Sequence, residues 1–405
     1  MALVFPFAAL RPAPEAVARV AAVPYDVVST DEARALADGN PLSFLHVSRP
    51  EIDLPATADI HGDEAYAQAA KAFAALRSAA PLQVEERPSI YVYRLRMGRH
   101  EQTGVAACFS IDEYDRDLIR KHEKTRPDKE DDRTRHMLAI RAQTGPVLLT
   151  YEASAAVDAA VAHAANEAPL YDFTAPDGVG HTVWRAPDAD ARAMVAAFAD
   201  VPCLYIADGH HRAASAARAR RALAAAAGPG EHDRMLAVAF PDNQMQILPY
   251  NRVVADLGGL TPTGLLTALR AKLLVEEGGP PAPEQPGRVA MYLDGRWFTL
   301  TLPDAPPGAD AAAALDVSRL QDLVIGPLLG VGDVRTDTRI DFVGGIRGTA
   351  ALEARVHAGR AAVAFSLYPV SVRDLMRIAD AGGIMPPKST WFEPKLRDGL
   401  LSHLI

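Results

Sequence analysis

The tightest grouping of chemically capable side chains in this 405-residue chain is Asp208-Gly-His-His-Arg212. An apolar run from Cys203 to Ala207 precedes it, and a long Ala/Arg-rich segment follows. That order predicts strand, tight turn, helix, with Asp208, His210, His211 and Arg212 around the first helical turn. Backbone N–H groups are unpaired at such a terminus, and the helix dipole favours an anion there. Gly209 lets a ligand approach the backbone closely. His210, His211 and Arg212 can donate to phosphate oxygens, Arg212 bidentately, while Asp208 can accept a proton or hold a metal. The bland alternative makes Asp208 an N-cap and the histidines solvated first-turn residues. Histidine at a helix N-terminus opposes the dipole, which favours the functional reading. Adjacent helical histidines diverge by about 100°, so they suit an anion cradle better than a single zinc ion.

A second grouping runs from Arg120 to Arg133 and holds Lys121, His122, Glu123, Arg126 and Pro127. A solvated helix laced with ion pairs would explain its mixed charge, but Pro127 would interrupt one. The segment is therefore expected as a loop lining a phosphate site. Lys121, His122 and Arg126 would face phosphate oxygens, and Glu123 would act as base or metal ligand. A third grouping, Lys388, Ser389 and Thr390 beside Trp391, sits in a proline-framed stretch and is expected to contact substrate. The aromatics would also dock this tail on the core. Val23-Pro-Tyr-Asp26, Asn40-Pro41 and His46 with Arg49 form a fourth set. There Asp26 reads equally as a turn residue, and His46 lies where sites often form. Arg252, just after a predicted strand, could reach a cleft or make a surface ion pair.

The elements that must position these groups alternate along the chain. Helical patterning covers Asp63–Ala79, Ala153–Ala168, Arg212–Ala227, Pro262–Leu274, Val317–Leu329 and Ser371–Ala381. Strand-like runs are Ser89–Met97, Val105–Ile111, Val147–Tyr151, Thr182–Trp184, Met235–Ala239, Gln246–Leu248, Val289–Leu293 and Ala362–Leu367. The class is α/β, or mixed α+β. Gly/Pro-rich stretches at Glu277–Arg288 and Pro303–Gly308 suggest two lobes. Residues 1–255, completed by 384–405, would form the catalytic lobe, and 256–383 an accessory α/β lobe. The net charge of −9 argues against a broad nucleic-acid surface. The N-terminus carries no basic region of a signal peptide, and no apolar stretch is long enough to span a bilayer. The two cysteines, Cys108 and Cys203, lie in apolar runs and read as buried thiols, which fits a cytoplasmic protein.

The whole chain resembles a bacterial and archaeal family known only as a domain of unknown function. Pro24-Tyr-Asp-Val, Asn40-Pro-Leu-Ser-Phe-Leu-His, His122-Glu-Lys-Thr, Ala207-Asp-Gly-His-His-Arg and Pro387-Lys-Ser-Thr carry this resemblance. The Asp-Gly-His-His-Arg segment is also similar to the phosphate-binding signature of free serine kinases in the ParB/sulfiredoxin superfamily. That likeness implies a ParB/sulfiredoxin-like catalytic lobe. It also implies phosphoryl transfer from ATP, ADP or pyrophosphate to L-serine, giving O-phosphoserine. Gly209, His210, His211 and Arg212 would hold the phosphate, with Asp208 beside it. ParB proteins usually show Gly-x-x-Arg-x-x-Ala, whereas Ser215 stands last here, a departure from the nucleotide- and DNA-binding members.

Three functions compete. The first is a small-molecule phosphotransferase, most concretely a serine kinase. Asp208, Glu123 and His211 would be its catalytic groups, Asp208 and Glu123 the Mg²⁺ ligands, and Glu51 the reserve base. A P-loop is absent, so a nucleotide would be held in another way. The second is a phosphomonoester hydrolase using the same cradle with water as acceptor. The third is a ParB-type regulator that binds nucleotide and DNA, which the net charge opposes.

Overall fold

The computed structural model describes residues 2–79 and 82–405. It divides into two compact units, 1–245 with 394–405, and 246–393. The expected site residues Arg252 and Lys388 to Trp391 therefore belong to the second unit.

The first unit is built on a nine-stranded mixed sheet. Its strands are β1 (Val4–Phe5), β2 (Tyr91–Met97), β3 (His100–Ser110), β4 (Ile119–Arg120), β5 (Val147–Tyr151), β6 (Tyr171–Thr174), β7 (Gly180–Arg185), β8 (Leu204–Asp208) and β9 (Arg234–Pro241). The order is β4-β8-β5-β9-β3-β2-β7-β6, with β1 paired to β3. Among the described residues only two of its pairings are parallel, β8 with β4 and β9 with β5. The chain thus has a mixed α/β architecture. Its helices here include α1 (Asp63–Ala79), α2 (Pro127–Ile140), α3 (Ala155–Ala164), α4 (Asp188–Ala199) and α5 (His210–Ala227).

Alanine sets how closely α5 packs. Ala213, Ala216, Ala217 and Ala219 are all buried in the core with Ile206, Leu149 and Phe109. Small side chains on that face bring the helix axis near the sheet while retaining the best helix propensity. On its other side α5 is tied to α2: Ser215 Oγ donates to the Glu130 carbonyl at 3.2 Å, and Arg218 pairs with Glu130 and Asp131.

Pro127 does not break a helix, as the sequence reading expected; it begins one. It occupies the first turn of α2, with Arg126 as the N-cap. A proline there loses no hydrogen bond, because that N–H has no intrahelical acceptor in any case. The expected loop is confined to the stretch before it, up to Arg126. The charged α2 also has an inward face, comprising Thr134, Met137 and Ile140 together with Asp132 and His136.

A second small core, including Val20, Phe44, Leu45, Val47 and Phe73, supports the N-terminal segments. The C-terminal residues 394–405 run back across this unit as a strap. Asp398 bridges to Ala22, Ser402 to Leu10, and His403–Leu404 pairs with Ala142–Gln143. Cys108 and Cys203 are both free and buried.

The second unit carries a six-stranded, wholly antiparallel sheet. Its strands are β10 (Tyr250–Val254), β11 (Leu274–Glu277), β12 (Arg288–Leu293), β13 (Arg296–Thr301), β14 (Ile340–Gly344) and β15 (Val363–Leu367), in the order β11-β13-β12-β15-β10-β14. The expected helix Val317–Leu329 is interrupted by a wide turn at Gln321–Ile325. Pro327 explains it, since proline removes one i→i−4 donor and crowds the preceding turn. Among the described residues no helix is long and apolar enough to cross a membrane.

Candidate anion site at a helix start

Strand β8 ends at Asp208 with a register irregularity against β5, and Gly209 turns the chain into α5. Gly209 adopts φ +94°, a left-handed conformation that side chains disfavour. A Cβ there would stand 3.0 Å from the Arg212 Cζ and Nε. Glycine is therefore required twice, for the turn and for the guanidinium that packs against it. No side chain caps the N-terminus of α5.

Asp208 is ringed by donors. Its Oδ1 accepts the Gly209 N–H at 3.0 Å, and its Oδ2 accepts from Lys395 Nζ at 3.1 Å, with Arg212 Nη2 at 3.6 Å. Burial acts to raise its pKa, but the Lys395 ammonium and the Arg212 guanidinium outweigh that and hold it well below the usual carboxylate range. Arg212 is buried. It donates through Nη1 to the Pro146 carbonyl, and its Nη2 lies 3.9 Å from Asp26. Burial opposes its charge, yet Asp26, Asp208 and Asp398 together push its pKa above the ordinary arginine value. Its Nε is buried without a hydrogen-bond partner among the described residues.

Both histidines of the motif are acceptors. His210 Nε2 accepts the His122 backbone N–H at 3.4 Å, and His211 Nε2 accepts that of Arg126 at 3.1 Å. Burial lowers the pKa of each, so both rings are neutral at pH 7. A neutral ring that accepts on Nε2 carries its proton on Nδ1. For His210 that nitrogen lies 3.8 Å from Glu123 Oε2. His122 itself is buried, its pKa lowered to about 4 by burial, and its Nδ1 has no partner among the described residues.

The remaining expected site residues are placed as follows. Lys121 donates to the Tyr114 carbonyl at 2.7 Å and to Asp117 at 3.0 Å, lying over the Tyr114 ring. It is committed there rather than to a phosphate cradle. Arg126 contributes its backbone N–H, while its guanidinium pairs with Asp128. His46 Nδ1 meets Asp53 at 2.9 Å and its Nε2 faces the Asn40 carbonyl at 3.2 Å, a local turn. Glu51 is buried and paired with Arg49.

In the second unit, Arg252 is buried and donates to the carbonyls of Tyr250, Pro387 and Lys388. Burial lowers its pKa to about 9. It braces the loop in which Lys388 adopts φ +54° with its ammonium 5.6 Å from the Tyr250 ring centre. Ser389 Oγ donates to the Pro386 carbonyl at 2.6 Å, and Trp391 Nε1 to Glu393 at 2.8 Å. Thr390 is half-buried beside them.

Three further groups meet at the helix start, and two of them, Lys395 and Asp398, escaped the sequence reading. Lys395 reaches Asp208, Asp26 faces Arg212, and the buried Asp398 sits behind Arg212, its Oδ1 2.7 Å from where a Gly145 Cβ would stand. Asp26 carried a signal, having been weighed as a turn residue. Lys395 and Asp398 flank Leu396-Arg397 in a tail rich in leucine, where charged residues have no obvious solvent role.

Residues 4–318 match the family described as protein of unknown function (DUF1015). The chain belongs to this family. No curated protein sequence matches it. Among solved structures, it is similar to a free serine kinase variant in complex with ADP, at 14% identity and a TM-score of 0.35, over 72% of this chain and 92% of that one. It is similar to a conserved hypothetical protein from Pyrococcus furiosus at 15% identity and a TM-score of 0.35, over 72% and 93%. It is also similar to C-terminally truncated SbnI from Staphylococcus aureus at 13% identity and a TM-score of 0.37, over 73% and 86%.

Proposed function

We propose that this family member is a small-molecule phosphotransferase, most concretely a free L-serine kinase built on a ParB/sulfiredoxin-like lobe. The observation that carries the reading is the uncapped N-terminus of α5, over which Arg212 is held with its buried Nε unpartnered among the described residues. Such a terminus offers backbone N–H groups and a positive dipole end to a phosphate, and a fixed guanidinium adds a charge-assisted donor. The neutral His210 and His211 add Nδ1–H donors without charge. Phosphoryl transfer asks mainly for this kind of positioning and charge stabilisation.

In the transfer, the P–O bond to the donor breaks and its electron pair stays on the leaving phosphate oxygen. A new P–O bond forms to the acceptor hydroxyl oxygen, and the hydroxyl proton passes to a carboxylate. Glu123, half exposed and beside His210, is the proposed base. Asp208 is a weaker choice, because a carboxylate held far below the working pH has little proton affinity. Its role is to orient Arg212 and Lys395.

ATP, ADP or pyrophosphate is the proposed donor. The donor chemistry of Asp208 does not suit the Mg²⁺ expected for it. Both its oxygens are already met by N–H groups, and among the described residues no group of three or more His, Cys, Asp or Glu could hold a metal ion. Any ion would arrive chiefly on the donor's phosphates.

The test is phosphorus NMR of the purified protein with L-serine, Mg²⁺ and each donor in turn. O-phosphoserine should appear with at least one donor. Failure with all three in folded protein removes the serine kinase reading. Release of phosphate from phosphoserine without any donor would select the hydrolase instead.

A further inference from the structure

Among the described residues, two basic side chains reach Asp208 at the helix-start site, Arg212 and Lys395. The second comes from the C-terminal strap, far along the chain from the motif. Lys395 Nζ lies 3.1 Å from Asp208 Oδ2, and with Asp208, Arg212, Pro24 and Leu148 it lines one small cavity. Its side chain is only 15% exposed, so this is an inward placement rather than a surface pair.

The strap is fixed on the C-terminal side of this lysine. Arg397 Nε donates to His181 Nε2 at 3.1 Å, and its Nη2 pairs with Asp177. Asp398 exchanges backbone hydrogen bonds with Ala22 at 2.9 and 3.1 Å, and the Gly399 N–H donates to the Thr144 carbonyl at 3.1 Å. Gly399 has φ +76°, and a Cβ there would come within 2.2 Å of Phe44. A backbone held this firmly removes most of the ordering cost of presenting an ammonium at one point.

Resting on the phosphotransfer reading, we infer that Lys395 is a phosphate-contacting residue of the same site, shared between Asp208 and the incoming phosphoryl group. Asp208 then serves as the tether that aims the ammonium into the cavity. The bland alternative is that Lys395 only neutralises Asp208.

The two are separated by removing Asp208 first. Isothermal titration of inorganic pyrophosphate, and separately of ADP, compares the full-length wild type, D208N and D208N/K395M. The double variant removes Lys395 together with its carboxylate and leaves Arg212 facing Asp26, and circular dichroism checks that it folds. D208N/K395Q makes the same comparison if the methionine variant does not fold. A phosphate-contacting Lys395 makes the double variant bind about tenfold or more weakly than D208N, the loss expected for one charge-assisted contact. Equal affinity of D208N and D208N/K395M overturns the inference and leaves the phosphotransfer reading intact. No saturable binding of either probe to the wild type removes both.

Discussion

His122 and His210 meet edge to face with ring centres 4.4 Å apart, and the backbone N–H of one is accepted by Nε2 of the other. This contact joins the two sequence motifs and fixes the tautomer that points the His210 Nδ1 proton toward Glu123. Replacing His210 by Phe removes the acceptor and the donor together. Turnover should fall at least about tenfold. The buried His122 N–H would lose its partner at a cost of about 1–3 kcal/mol. Phosphoserine formation and thermal unfolding measure the two effects.

Asp208→Asn and His211→Ala should each lower turnover by at least about tenfold while leaving the protein folded. Asp208 loses its hold on two cations, and His211 its Nδ1 donor and the acceptor for the Arg126 N–H. Wild-type turnover in both variants would take this cluster out of the chemistry. Initial rates with saturating donor decide it.

Gly209→Ala should weaken pyrophosphate binding more than it weakens the fold. The left-handed backbone costs a non-glycine residue roughly 1–2 kcal/mol. The added Cβ would also press on the Arg212 guanidinium at 3.0 Å and shift it. Calorimetric binding alongside a melting curve separates the two losses.

Asp398 gives stability a pH dependence with an unusual sign. Burial, partly opposed by Arg212, pushes its pKa up to about 7, above the unfolded value near 3.9. Between these values the folded state binds the extra proton, so this group's contribution is fully present at low pH and is lost as pH rises toward and through about 7. Asp398→Asn should therefore be more stable than wild type at pH 8, by at most on the order of 4 kcal/mol. That gap should narrow on acidification to pH 4. Denaturant unfolding at several pH values measures it.

Three buried histidines act in the opposite sense. Burial lowers His122 and His136 to about 4 and His181 to about 3. Their unfolded forms take protons near 6.5, so their contribution is present above that pH and is lost as pH falls toward 4. His136 Nε2 meets the Val47 carbonyl at 2.7 Å, which a glutamine amide could also do. His136→Gln should show a shallower acid limb in the melting temperature between pH 6.5 and 4.

By itself the sequence determined the local machinery. The apolar run into Asp-Gly and the Ala-rich stretch after it specify a strand, a turn and a helix, because alternation, glycine and alanine each have local conformational consequences. It also singled out His122, Glu123, His210, His211 and Arg212. What the tertiary structure decided was which charges meet. Lys121 is equivalent to Lys395 as a residue type, yet it is bound to Tyr114 and Asp117, whereas Lys395 reaches Asp208 across 187 positions. Pro127 was ambiguous for the same reason, since only the position of the helix start says whether a proline breaks or begins it. Neutral histidines and a carboxyl with a pKa near 7 come from desolvation, a property of everything packed around a group rather than of its neighbours in sequence.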